Sequence, residues 1–194
     1  LILPDSGFKK KIKVMTLTSQ QLIVIIDPQK DFTDIEGAYA KNHRIHQIQE
    51  IKERINKLTK QFDSNKFVII YSNYLKDQFG AGISMCIEGT KGHEIDIDFG
   101  DLKLISKTQH SSFSSEEFKL FLKDNQIRKL LLCGFLAEYC IQQTAIDALE
   151  AGYEVALLNE FIATGDDVQY RKQEMLADLE KRGAVIINDN FGCA

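Results

Sequence analysis

From Gln21 onward, short apolar runs alternate with amphipathic stretches. Leu22–Ile26 is a β-branched run that stops at Asp27, and Phe67–Tyr71, Leu104–Ser106, Lys129–Phe135, Val155–Leu158 and Val185–Ile187 are further apolar runs of this kind. Runs that are apolar throughout, rather than at every second position, suit strands buried on both faces of a parallel sheet. Between them, His43 to Phe62 carries Ile45, Ile48, Ile51, Ile55 and Leu58 at steps of three and four, the spacing of one helix face. Helices are likewise predicted over Ser114–Lys123, opened by Ser114 or Ser115, over Glu138–Ala151, closed by Gly152, and over Val168–Arg182, closed by Gly183. Gly80 to Gly100 has no clear period. Strand and helix alternating in this way predict an α/β fold: a three-layer αβα, Rossmann-like open parallel sheet of about six strands.

A chain of 194 residues, 44% of them hydrophobic, suits one domain with a sizeable core. The expected organisation is a flexible leader over 1–18, where Lys9–Lys11 and Lys13 precede Met15 without a signal-peptide apolar stretch, and a single domain over 19–194. A net charge of −4 lacks the basic excess of a nucleic-acid binder. The longest apolar runs fall far short of the roughly 18 residues of a membrane span. Cys86, Cys133, Cys140 and Cys193 form no C-x-x-C pair and read as free thiols in a reducing cytoplasm.

In a doubly wound sheet the chemistry gathers at the carboxyl ends of the strands. Asp27, Lys107 and Cys140 fall there, after the first, third and fourth strands. Each alone is ordinary: an Asp after a strand commonly caps a turn, and a lone Lys is commonly solvated. Cys133, inside its strand, reads as a core filler. Cys140 stands apart because it falls in the first turn of a helix, where amide dipoles stabilise a thiolate. The chain has no G-x-S-x-G, no phosphate loop and no H-E-x-x-H. The first strand leads into Asp27-Pro28-Gln29-Lys30-Asp31-Phe32 rather than a dinucleotide-binding glycine pattern.

Four segments in order resemble the isochorismatase-like cysteine hydrolases, which include nicotinamidases, carbamoylsarcosine amidases and ureidoacrylate amidases. These are Leu22–Phe32, Gly89–Ile95, Lys107 with Ser111-Ser112-Phe113, and Gly134–Ile141 with Thr144–Ala148 and Gly152. The resemblance implies Asp27, Lys107 and Cys140 as a catalytic triad. It also implies a cis peptide at Phe135–Leu136, an oxyanion hole from the backbone N–H groups of Leu136 and Cys140, and a substrate pocket near Phe32, Phe113, Tyr139 and Leu136. Core packing is the competing role for Phe32 and Phe113.

Nicotinamidases carry a metal-binding D-x-H after the second strand, whereas Tyr71–Lys76 offers neither ligand type. His43 and His46 have an i,i+3 spacing that could share a helix face, but read as exposed surface histidines, so no metal and no cofactor are expected. Asn159-Glu160-Phe161 replaces the Asp-Ala usual after the fifth strand. The function expected is a metal-independent cysteine amidohydrolase of a small amide substrate, cytoplasmic and a homodimer or larger homo-oligomer, with no nucleic-acid or membrane partner. The alternatives are an ether hydrolase of the isochorismatase type, which needs no thiol nucleophile, or a non-enzymatic interaction protein that keeps the scaffold.

Overall fold

The computed structural model of the protein describes residues 16–189 and Phe191. Among these residues the strands are β1 (Gln21–Ile26), β2 (Phe67–Ser72), β3 (Lys103–Lys107), β4 (Lys129–Phe135), β5 (Glu154–Ala163) and β6 (Val185–Ile187). They form one parallel sheet in the order β3-β2-β1-β4-β5-β6. The helices are α1 (Lys30–Thr33), α2 (His46–Leu58), α3 (Glu116–Asp124), α4 (Gln142–Glu150) and α5 (Gln169–Lys181). Two apolar clusters cover the two faces. Alternate residues of β1 go to opposite sides, Ile23 and Ile25 to the cluster under α2 and Leu22, Val24 and Ile26 to the one under α3, α4 and α5. This is the open, helix-covered parallel sheet expected from the sequence.

The chain order reverses between β1 and β4, which are neighbours in register from Gln21–Lys129 to Ile26–Gly134. The two strands come unusually close at Gly134. It has φ of 113°, and a Cβ there would lie 2.1 Å from the Ile26 carbonyl oxygen, so only glycine fits.

Several boundaries differ from expectation. Helix α2 starts at His46, not His43, because its first amides are capped from far along the chain: Asp166 accepts from the His46 and Gln47 N–H groups, and Asp167 from that of Arg44. Strand β5 does not stop at Leu158. Leu132 pairs with Leu157 but Gly134 already pairs with Ile162, so Asn159-Glu160-Phe161 forms an irregular stretch within the strand. Lys172 holds that stretch by donating to the carbonyls of Asn159 and Ile162 at 2.9 and 2.7 Å, and Arg54 pairs with Glu160 at 3.0 Å. The segment before α4, Ala137–Ile141, is a π-helical turn, so Cys140 precedes the α-helix proper. Most of the expected leader, 1–15, lies outside the described residues, while Leu17 is buried in the core.

Candidate active site

Asp27 follows β1 in a left-handed conformation, φ 52°, which L-residues enter at a cost of about 1–2 kcal/mol. Its amide donates to the Ile70 carbonyl at 2.8 Å, so the turn stays pinned to β2. Gln29, wholly buried, reinforces this: its side chain accepts from the Ser72 N–H at 2.7 Å and donates to the Ser72 carbonyl at 2.9 Å. Lys107 ends β3, and Cys140 sits in the π turn after β4. The three side chains converge. The Lys107 ammonium lies 3.0 Å from Asp27 Oδ2 and 3.4 Å from Cys140 Sγ. It also donates to Ser72 Oγ at 2.8 Å, Tyr74 Oη at 2.9 Å and the Gln109 carbonyl at 3.0 Å. Asp27 Oδ1 accepts from Ser72 Oγ at 2.8 Å, and Oδ2 faces the Lys107 ammonium.

Ser72 and Tyr74 were not singled out in the sequence. Ser72 closes β2 and Tyr74 lies two residues beyond it, past the end of the apolar run read from the sequence. A second unflagged residue is His110, whose Nδ1 stands 3.8 Å from Cys140 Sγ. Its ring stacks on Phe79 with centroids 4.3 Å apart.

Burial governs the protonation of this cluster. It pushes the Cys140 thiol up to about 12, and the charge of Asp27 acts in the same direction while Lys107 opposes it. Desolvation thus opposes the thiolate that the helix start was expected to favour. Burial works to lower Lys107, but the charges of Asp27 and Cys140 prevail and its pKa is raised. Burial and the Lys107 charge together hold the His110 imidazole below its ordinary value. Burial also pushes the Tyr74 phenol far up.

Above the sulfur opens a cavity of about 450 Å³. Phe32, Tyr39, Phe79, Met85, Leu136 and Tyr139 form much of its wall, with Asn42, His43, Tyr74 and His110 as the polar groups. Among the described residues, no Lys, Arg, Asp or Glu lines it. Phe32 and Tyr139 thus stand where a pocket role needs them. Phe113 does not: its ring packs against Phe118 and Tyr153 on the opposite face of the sheet. The Phe135–Leu136 peptide is cis. His46 is exposed beside Glu50, and His43 is tied to Asp167 at 2.9 Å. Among the described residues no three His, Cys, Asp or Glu side chains come together as a metal site.

The model of the isochorismatase domain matches residues 21–190, nearly all of the described chain. The chain belongs to the isochorismatase domain family. Within this family of hydrolases, it is 23% identical over 147 residues to the uncharacterized isochorismatase family protein YrdC of Bacillus subtilis, covering 76% of this chain and 75% of that one. It is 24% identical over 156 residues to the secreted isochorismatase effector Isc1 of Verticillium dahliae, covering 77% and 75%. In fold it is similar to the pyrazinamidase of Pyrococcus horikoshii solved in complex with zinc, with TM-score 0.74, 23% identity, and 88% and 99% of the two chains covered. It is also similar to the nicotinamidase/pyrazinamidase PncA of Bacillus subtilis, with TM-score 0.72, 20% identity, and 87% and 100% covered. Among the described residues of this isochorismatase-family chain, no helix is long and apolar enough to cross a membrane.

Proposed function

We propose that the protein is a cysteine hydrolase that cleaves the C–N bond of a small, flat, uncharged amide through a thioester on Cys140. The observation that carries this reading is the single buried ammonium of Lys107 touching both the Asp27 carboxylate and the Cys140 sulfur at the floor of an apolar cavity. As the thiol attacks the carbonyl carbon, its proton passes to Asp27 Oδ2 and the Sγ–C bond forms. The carbonyl oxygen becomes an oxyanion, which the backbone N–H groups of Leu136 and Cys140 would stabilise. Asp27 returns the proton to the nitrogen as the C–N bond breaks, and water then clears the thioester. Lys107, 3.4 Å from the sulfur, favours the developing thiolate. Retention of the thiol argues against the ether hydrolase reading, and a buried ion pair reaching a thiol argues against a purely structural scaffold.

A wall without formal charge suits a neutral substrate, and the amidase names of the structural neighbours point to amides. The nicotinamidase metal does not fit here: Tyr71–Lys76 holds no carboxylate or imidazole, and the Tyr74 hydroxyl already accepts from an ammonium, a poor neighbour for a second cation. The reading is therefore metal-independent. An ammonia-release screen over uncharged aromatic and aliphatic amides tests it, with the Cys140→Ala protein as blank and an EDTA-treated arm. Release by the wild type alone, unchanged after chelation, is expected. Equal release by Cys140→Ala refutes the nucleophile, and loss on chelation restored by zinc refutes metal independence.

A further inference from the structure

The hydroxyl of Tyr74 stands beside the sulfur as well as beside the ammonium. Tyr74 is 3% exposed and lines the cavity floor next to Cys140. Its Oη lies 2.9 Å from Lys107 Nζ and 3.5 Å from Cys140 Sγ. The ring is held edge-on against Phe79, centroids 4.8 Å apart, with the Lys107 ammonium 5.1 Å from the ring centre. The backbone is pinned as well: the Tyr74 N–H donates to the Cys86 carbonyl at 3.2 Å. The oxygen is therefore aimed at the sulfur and not merely nearby.

A phenol has one proton to give, and an ammonium cannot accept it. The hydroxyl meets Lys107 through a lone pair, which leaves its proton for another partner. Two acceptors are within reach, Cys140 Sγ and the Gln109 carbonyl, each at 3.5 Å. The charge on the sulfur decides between them. A thiol or thioester sulfur is a weak acceptor, whereas a hydrogen bond to an ionised partner is roughly twice as strong as a neutral one. Burial pushes the phenol far up, so Tyr74 shares its proton with a thiolate without surrendering it.

We propose that Tyr74 is a further catalytic residue whose hydroxyl donates to Cys140 Sγ when the sulfur carries negative charge, a role that rests on Cys140 being the nucleophile. During acylation the thiol proton goes to Asp27 and the Sγ–C bond forms, while Tyr74 keeps its own proton and supplies only the hydrogen bond. When water clears the thioester the C–S bond breaks, charge returns to the sulfur, and the same donor meets it again. At the thioester between these steps the hydroxyl turns to the Gln109 carbonyl. A contact that strengthens only as charge develops lowers the barrier on either side of the thioester, where one of constant strength would lower neither.

Iodoacetamide reads the sulfur without requiring the physiological substrate, and Tyr74→Phe keeps the ring while removing the hydroxyl. A hydrogen bond to a charged acceptor changes the thiolate population by about ten- to a hundredfold. About half of that, on a logarithmic scale, survives in the transition state as the sulfur gives up charge. At one fixed pH, Cys140 of the folded variant should therefore alkylate about three- to tenfold more slowly than in the wild type, as followed by peptide mass spectrometry. The same loss would follow if Tyr74 served only to satisfy Lys107, so a second replacement separates the two roles. A tyrosine fluorinated beside its hydroxyl, placed at position 74, is a better donor and a poorer acceptor. Alkylation should then exceed the wild-type rate if the hydroxyl donates to the sulfur, and fall below it if it only accepts from Lys107. A wild-type rate in Tyr74→Phe, or a fluorinated protein no faster than the wild type, overturns the proposal and leaves the proposed function standing. If Cys140 of the wild type does not alkylate at all, the nucleophile itself is wrong and both fall together.

Discussion

A wholly buried ammonium carries a desolvation penalty of several kcal/mol, and Lys107 meets it with four oxygens and a sulfur within 3.4 Å. Lys107→Gln removes the charge and leaves the Asp27 carboxylate buried without its counter-ion. Urea unfolding of that variant should show a loss of about 3–5 kcal/mol, and kcat/KM should fall by about 10²-fold or more. Adding Asp27→Asn should recover part of the stability and none of the turnover; wild-type stability in the single variant would refute the ion pair as described. Asp27 and Lys107 were legible in the sequence because each follows an apolar run, and Cys140 because it falls at a predicted helix start; the resemblance to the family joined the three. His110 was not, since the ring it stacks on, Phe79, comes from a distant segment of the chain. The raised thiol pKa was equally hidden, because desolvation depends on what closes over the sulfur.

The strands were readable wherever burial on both faces leaves an unbroken apolar run; β4 and β6 begin and end where the sequence predicted. Boundaries went astray where a distant side chain decides them. The amides of α2 are satisfied by Asp166 from beyond β5, and β5 runs past its apolar segment because Lys172 and Arg54 hold its polar middle. The short α1 carries too few residues to show a period. Gly134 offers the sharpest test at this level. Gly134→Ala would place a methyl group against the Ile26 backbone and push β4 away from β1, where Asp27 and the Cys140 turn must meet. A loss of about 4 kcal/mol or more in unfolding free energy is expected; an unchanged melting temperature would contradict the close approach.

The sheet order puts β1 and β4 side by side at the point where the chain reverses, and the cluster sits off the carboxyl ends there, as open α/β sheets place their ligand sites. Length and charge say little about this arrangement, whereas the ordered segments that resemble the family carry most of it. The site draws on residues far apart along the chain: Asp27 and Ser72 are separated by 45 positions, and Tyr74 and Cys140 by 66. Contacts of such separation form only after several large loops have closed, late in folding. A partly folded chain can hold a hairpin of neighbouring structure, but it cannot hold a desolvated ammonium beside a carboxylate and a thiol. Turnover therefore counts completed molecules, and the nascent chain stays chemically silent until the last crossover has docked.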